Sequence, residues 1–286
     1  MIHDYYLKKS NLDTGLEALT LKKVGELKME VLKNVLAKRE GNLGIFYPSR
    51  NDLSGLPINT TLTKFTFTLK KSFTSKNEGE FYLNKKKNET KIHENPIVRD
   101  RFTGLPMVRP STWKGHLRFA ADRVDWDDGE KERIVRRLFG AGPEDKNMLR
   151  GRLYLYPTFF EEEADYDVIT PLSRDSRKPV RGPIGIEVMK TGRKGKFFLL
   201  YLPYPRGNDF TEKEVRDDLK FVAKALTLMF YTYGFSAKKT SGFGVVEEKL
   251  EDGELWVRRK TCDQGICKKC FSTLFDLEAR MEEIWQ

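Results

Sequence analysis

The segment from Gly104 to Arg118 combines residue types that suit the binding of an anion. Its sequence, GLPMVRPSTWKGHLR, places two hydroxyl groups, an ammonium group and a glycine at the start of a predicted helix. We predict that Ser111 is the N-cap, because a serine side chain accepts a hydrogen bond from a free backbone N–H group there. Those N–H groups and the helix dipole attract phosphate, and Arg109 just before the cap adds positive charge. On these residues alone, an ordinary capped helix with a solvated lysine is an equal alternative.

A glycine-rich loop, YGFSAKKTSGFGVV, is the second candidate for anion binding. It follows a predicted helix in which Thr211 and Glu214 form a capping-box pair and apolar residues recur at helical spacing from Val215 to Met229. The loop offers cationic, hydroxyl and backbone N–H groups, carried by Lys238, Lys239, Ser241 and Gly242.

Three cysteines near the C-terminus, Cys262, Cys267 and Cys270, have the spacing C-x4-C-x2-C. A C-x-x-C pair places two thiolates within reach of one ion, and tetrahedral Zn2+ takes four ligands. We therefore predict a structural zinc site, with a fourth ligand from elsewhere. The alternative is three reduced thiols, since the odd number of cysteines fits a reducing compartment.

The charge of the chain favours a polyanionic partner. The 286 residues carry a formal net charge of +10, and the segment from Lys64 to Arg118 holds 13 Lys and Arg against 5 Asp and Glu. Lysines and arginines that neutralise phosphates release condensed counterions, so nucleic acid is the leading partner class. With 39% hydrophobic residues, the chain is not a disordered polyelectrolyte. It has no apolar stretch of membrane-spanning length, and its first residues lack a signal peptide, so we predict a cytoplasmic protein without membrane contact.

The elements that must position these residues are those of an α+β protein. A strand is predicted from Thr61, where Phe65 and Phe67 alternate with polar residues, and a polar loop follows over residues 75–95. Apolar runs in the middle third predict antiparallel strands and hairpins. We predict an N-terminal helical extension over residues 1–60, with a helix at 21–40, a main domain over 61–248, and a C-terminal extension with a short helix over 249–286. The order of elements indicates a β-α-β-β-α-β unit with large insertions.

Two motifs make the sequence resemble the RAMP superfamily of CRISPR proteins. Members carry a Gly-Leu-Pro, apolar, Pro-x-Ser-Ser-x-Lys-Gly-x-x-Arg segment after the first strand and a glycine-rich loop near the end of the fold. The matching residues here are Gly104, Leu105, Pro106, Ser111, Thr112, Lys114, Gly115 and Arg118, followed by Gly242 and Gly244. His116 departs from the pattern, because it stands where a small residue is usual.

The resemblance implies a ferredoxin-like, RRM-related core with a β-hairpin thumb. It also implies binding of guide RNA and of complementary target RNA, in a type III effector complex in which copies of RAMP subunits stack beside other subunits. Backbone and stacking contacts suit such RNA recognition. The residues expected to face RNA are Arg99, Arg101, Arg109, Ser111, Thr112, Lys114, Arg118, Lys238, Lys239, Ser241 and Gly242.

Cleavage of the target is the open part of this resemblance. Family members that cut carry a loop aspartate, used with a divalent metal such as Mg2+, at the position that Glu94 occupies here. A glutamate could still orient the ion, and His93 beside it could act as a general base without metal. The alternative is that both are loop residues of a subunit that only binds.

Two other functions compete with this one. The first is a RAMP-family endoribonuclease that processes precursor guide RNA and usually depends on a histidine. The second is a generic RRM-like RNA-binding protein, which would present aromatic side chains for stacking on its central strands, where Phe65 and Phe67 are a weak match.

Overall fold

A computed structural model describes most of the chain. The described residues are 43–75, 82–86, 89–93, 95–100, 103–142, 148–173, 175–176, 178–179, 182–204 and 210–284, and over 82–93 the description covers the backbone alone. They fall into two compact units. We call residues 73–107 with 159–190 the hairpin unit, and residues 43–72 with 108–158 and 191–284 the sheet unit. The helix predicted at 21–40 lies outside the described residues.

The described residues combine runs of antiparallel strands with separate helices, as expected for an α+β protein. The strands are β1 (Thr61–Thr68), β2 (Tyr82–Lys86), β3 (Glu89–His93), β4 (Met107–Val108), β5 (Leu153–Leu155), β6 (Thr158–Phe159), β7 (Asp165–Ile169), β8 (Ile184–Val188), β9 (Lys194–Tyr201), β10 (Glu251–Arg258) and β11 (Ile266–Phe271). The α-helices are α1 (Arg50–Leu53), α2 (Pro110–Ala121), α3 (Asp128–Phe139), α4 (Glu212–Thr227) and α5 (Leu274–Glu283). A π-helical segment, Leu228–Tyr233, extends α4, and a 3-10 turn forms at Lys239–Ser241.

The sheet unit contains a five-stranded antiparallel sheet with the order β11-β10-β1-β9-β5. The strand predicted from Thr61 is confirmed as β1, and Phe65 and Phe67 point to its buried face. Strand β10 lies beyond the domain boundary predicted at residue 248. It nevertheless pairs directly with β1 and so belongs to the main sheet. The C-terminal residues are therefore an integral part of this unit.

One face of the sheet packs against α2 and the π-helical extension of α4 through aromatic side chains. The Trp113 ring lies 4.4 Å from Phe235, 5.0 Å from Phe197 and 5.4 Å from Phe230, measured between ring centroids. Its indole N–H donates to the Thr158 hydroxyl at 3.2 Å, so the polar atom of this buried ring is satisfied. The inner face of α2 is apolar, since Trp113, Leu117 and Ala120 are buried, and Val124 just after the helix is buried as well.

A buried ionic network ties α3 and α4 to the sheet. Asp218 of α4 is 0% exposed. Its Oδ1 accepts hydrogen bonds from Arg137 Nε at 3.1 Å and Nη2 at 2.7 Å, and its Oδ2 accepts from Arg152 Nη1 and Tyr201 Oη, each at 2.9 Å. The Thr211 hydroxyl caps α4 as predicted, but the Glu214 carboxylate pairs with Arg152 and so joins this network.

The opposite face of the sheet is covered in part by the residues that precede β1. Leu53 of α1 packs there in a cluster with Leu62, Leu200 and Ile266. The Tyr47 ring stacks on Phe198 of β9, with 4.2 Å between centroids and 10° between planes. This segment closes the centre of the face.

The hairpin unit contains two β-hairpins, β2–β3 and β7–β8. The segment 75–95 was expected to be a polar loop; instead, Tyr82–Lys86 pair with Glu89–His93 as antiparallel strands. The backbones of Phe73 and Met189 exchange two hydrogen bonds of 2.8 Å within this unit. None of the helices in the described ranges combines the length and the apolar character needed to span a bilayer.

Candidate nucleic-acid interface

The start of α2 differs from the predicted cap. Arg109 is the N-cap and Pro110 the first helical residue, so Ser111 lies inside the first turn and is not the cap. Proline favours the first helical position, because it has no N–H group to satisfy and its φ angle suits a helix. The first N–H to bond back is that of Trp113, to Arg109 O at 3.0 Å, which leaves the Ser111 and Thr112 N–H groups outside the helical hydrogen bonds. Ser111 is exposed and Thr112 half-buried.

The glycine-rich loop is fixed by close backbone contacts. Gly234 and Gly244 have φ angles of +72° and +80°, and the Gly244 N–H donates to Ser72 O at 2.9 Å. The 3-10 turn Lys239–Ser241 follows and ends at Gly242, whose φ is +76°. These contacts attach the loop to the end of β1, since Lys70 and Lys71 both donate to Val245 O.

The structure brings α2 and this loop together. Lys239 Nζ lies 3.5 Å from the centroid of the Phe119 ring, and Arg123 Cζ lies 3.6 Å from the same centroid. The positive charge of Lys239 also acts on His116, one turn before Phe119. We call Lys114, His116, Arg118, Phe119, Arg123, Lys238 and Lys239 the basic cluster. Two motifs more than 100 residues apart in the sequence thus form one surface.

Burial and mutual repulsion shape the electrostatics of the basic cluster. Burial, and then the charge of Arg118, lower the pKa of Lys114 from its usual value. Burial, and then Arg123, lower the pKa of Lys239. Within the described ranges, no carboxylate forms an ion pair with Lys114, Arg118, Arg123, Lys238 or Lys239. The surface therefore keeps its positive charge and is suited to a polyanion.

His116 should make the fold sensitive to acid. Burial and the nearby Lys239 lower the pKa of His116 from 6.5 to about 4. The unfolded chain thus binds a proton before the folded chain does, and the stabilising contribution is complete above pH 6.5 and lost as the pH falls towards 4. We expect His116→Gln to reduce the stability lost between pH 7.5 and 4.5 by about 2 to 3 kcal/mol, measured by urea denaturation at both values. Equal losses in both proteins would contradict this assignment.

Arg99 does not lie on an open surface. It is 7% exposed, and its Nη1 and Nη2 donate to Glu187 Oε2 at 2.6 Å and Oε1 at 3.2 Å. This buried bidentate pair contradicts the prediction that Arg99 faces RNA, because its guanidinium holds β8 to the 95–100 segment of the hairpin unit. Arg101 lies outside the described residues, as does Glu94. His93 ends β3, where only the backbone is described. Cleavage with Mg2+ stays a prediction.

The three cysteines do not form a group of three free thiolates, which the predicted zinc site would need. Cys262 and Cys267 form a disulfide with 5.4 Å between their Cα atoms, and Cys270 is an exposed free thiol on β11. The 3-10 turn Asp263–Gly265 brings the two bonded residues together. Nowhere among the described residues do three His, Cys, Asp or Glu side chains converge as a metal site requires. Zn2+ at these cysteines stays a prediction that the arrangement does not support.

The aromatic residues of the central strands are not placed as in an RRM-like protein that binds RNA on its sheet. Phe65 and Phe67 are 2% and 0% exposed, on the face that packs against the helices. On the other face, Phe198 already stacks with Tyr47. The described part of the sheet therefore offers no open stacking platform at these positions.

Sequence reasoning missed the aromatic members of this surface. Phe119 and Tyr233 lie edge to face, with 5.4 Å between ring centroids, beside the predicted cations. A signal was present, because Phe119 and Arg123 are four residues apart, the spacing that brings side chains together along a helix, and Arg123 follows the end of α2 by two residues. The position of Tyr233, at the end of the π-helical segment, had no such signal.

Comparison with known proteins gives a family. The family model described as RAMP superfamily matches residues 32–247. The crystal structure of the Csm3-Csm4 subcomplex in the type III-A CRISPR-Cas interference complex is 18% identical, with a TM-score of 0.48, over 81% of this chain and 100% of that chain. The cryo-EM structure of the type III-B Cmr-beta bound to cognate target RNA is 18% identical, with a TM-score of 0.47, over 87% and 81%. No curated protein sequence matches this chain.

Proposed function

Because this chain belongs to the RAMP superfamily, we propose that it is a guide-RNA-binding subunit of a type III CRISPR effector complex. In this proposal, the basic cluster holds the phosphate backbone of the guide, and the partners are complementary target RNA, copies of RAMP subunits and other subunits of the complex. The observation that carries the proposal is the meeting of the α2 motif and the glycine-rich loop in one surface whose cations lack carboxylate partners among the described residues.

The chemistry of this surface supports backbone binding. Lys114, Lys239 and Arg118 supply charge, while the first turn of α2 adds hydroxyl and N–H groups from Ser111 and Thr112. Phosphate contacts of this kind hold a strand in place without reading its bases. A guide whose sequence changes from one complex to the next requires that property.

We also propose a ferredoxin-like core for the sheet unit. Without the short β6 and the segments of the hairpin unit, the elements run β1, α2 with α3, β5, β9, α4, β10. The four strands have the sheet order β10-β1-β9-β5, and the same aromatic core receives Trp113 of α2 and Phe230 of the π-helical segment that extends α4. Under this proposal, a hairpin of the hairpin unit is the thumb.

Removing two cations of the basic cluster should weaken RNA binding. We expect the double change Lys114→Ala with Arg118→Ala to raise the Kd for single-stranded RNA about tenfold at low salt, since both cations contact phosphates. The slope of log Kd against log salt concentration should fall in magnitude by about 1.4, because each phosphate contact on a single strand contributes about 0.7. Fluorescence anisotropy with labelled RNA at several salt concentrations measures both.

A control with the same loss of charge is Lys213→Ala with Lys260→Ala. Both lysines are exposed. Lys213 lies at the start of α4, whereas the glycine-rich loop follows its other end, and Lys260 follows the end of β10 that pairs with the start of β1. We expect the control to leave the slope nearly unchanged. An equal effect of both pairs, or no effect of the first, would overturn the assignment of the basic cluster to RNA.

A further inference from the structure

Within the basic cluster, the ring of Phe119 contacts both Arg123, which follows α2, and Lys239 of the glycine-rich loop. No carboxylate of the described residues forms an ion pair with either cation. Phe119 belongs to α2. Lys239 Nζ lies 3.5 Å from the centroid of its ring, and Arg123 Cζ lies 3.6 Å from the same centroid. Arg123, two residues beyond the end of α2, is also held by that helix, since its Nη1 donates to Phe119 O at 2.8 Å. The Phe119 and Tyr233 rings are nearly perpendicular, at 89°, so Tyr233 also packs against this ring. One side chain of α2 therefore contacts a cation that follows the end of α2 and a cation from the loop.

Holding two cations close together requires something to offset their repulsion. A carboxylate would offset it but would also cancel one positive charge. The face of an aromatic ring attracts cations through its quadrupole and leaves the net charge unchanged. The other ion pairs of the sheet unit use carboxylates, as between Lys64 and Glu254 or Lys194 and Glu251. The Phe119 ring contacts two cations that have no carboxylate partner among the described residues.

We propose that Phe119 is a positioning residue for RNA binding, which keeps the Lys239 ammonium and the Arg123 guanidinium together at full charge where phosphates bind. This inference rests on the proposed function, because it takes the RNA backbone as the ligand of the basic cluster. Beyond that function, it states that the Phe119 ring of α2 sets the position of the Lys239 ammonium of the loop. The contribution of Phe119 to binding should therefore depend on the presence of Lys239.

A double-mutant cycle tests this dependence. We expect Phe119→Leu in the full chain to raise the Kd for single-stranded RNA about fivefold, because an apolar side chain without a ring cannot hold the ammonium. In a Lys239→Ala background, the same change should alter the Kd by less than about twofold. Phe119→Tyr retains the ring face and should bind RNA within about twofold of the wild type.

A matched control comes from a second cation and ring in the same unit. Lys224 Nζ lies 5.4 Å from the centroid of the Trp126 ring, outside the basic cluster. Trp126→Leu removes a comparable contact and should leave the Kd unchanged. Thermal unfolding of each variant shows whether the fraction of folded protein is the same.

The outcomes separate this inference from the proposed function. Equal effects of Phe119→Leu with and without Lys239 would overturn the positioning role, since a general packing defect acts in both backgrounds. Failure of Phe119→Tyr to restore binding would also overturn it. If the change of Lys114 and Arg118 has no effect on RNA binding, the proposed function itself fails.

Discussion

Asp218→Ala should cost about 3 to 5 kcal/mol of unfolding free energy, the largest effect expected from a single substitution in this protein. The carboxylate accepts four hydrogen bonds from Arg137, Arg152 and Tyr201. Its removal leaves Arg152, itself 2% exposed, as a poorly compensated charge in the core. Urea denaturation of the full chain at neutral pH measures the loss.

The neighbouring Asp217→Ala is the control for this substitution. Asp217 is half-buried, next to Asp218 on α4, and lies outside the buried network. We expect its replacement to change stability by about 0.5 kcal/mol or less, as for most positions near the surface. Asp218→Asn keeps the shape of the side chain and should fall between the two. A loss below about 1 kcal/mol for Asp218→Ala would show that the network contributes little.

Gly244→Ala should disrupt the glycine-rich loop and, with it, RNA binding. A Cβ atom at this position would lie 2.7 Å from the Ser236 N atom and 2.9 Å from the Phe235 N atom, both of the backbone, and the φ angle is +80°. Neither the clash nor the left-handed conformation can be relieved without moving the loop. We expect a loss of about 2 to 4 kcal/mol in unfolding free energy and weaker RNA binding per folded molecule, because Lys239 moves with the loop.

Gly242→Ala separates the two causes. Its φ angle of +76° is similar, but no atom lies within 4 Å of the position of the new Cβ. The cost should then be limited to about 1 to 2 kcal/mol of conformational strain. Unfolding free energy and the Kd for RNA are measured for both variants. If the two variants lose the same unfolding free energy and the same affinity for RNA, the close approach of Gly244 to the backbone of Phe235 and Ser236 is not what fixes the loop.

The fold follows from the sequence where periodicity and side-chain chemistry act locally. The alternation at Phe65 and Phe67 predicted β1, and the Thr211 hydroxyl predicted the start of α4. The cap of α2 was misplaced because Ser111 has the better capping side chain, whereas Pro110 has the stronger backbone preference. Local chemistry also could not predict that Glu214 would turn to Arg152, since that partner is more than 60 residues away.

The candidate site was predictable in its parts and not in its assembly. Lys114, Arg118 and Lys239 were identified from motifs, and their common surface depends on packing between α2 and the loop. Arg99 looked similar to them in sequence, yet the acidic partner that buries it is on β8. The disulfide of Cys262 and Cys267 depends on a turn whose Gln264 adopts a left-handed conformation, which glutamine seldom does.

The position of β1 in the middle of its sheet sets the order of events during synthesis on the ribosome. Its partners, β9 and β10, begin at Lys194 and Glu251, so β1 emerges long before either neighbour exists. At about 5 to 20 residues per second, the wait for β10 is roughly 10 to 40 s. Until β9 is made, the apolar face that carries Phe65 and Phe67 has no neighbouring strand to pair with, and until β10 is made β1 remains an edge strand. The newly made chain is therefore expected to need protection from aggregation until its last strands leave the ribosome.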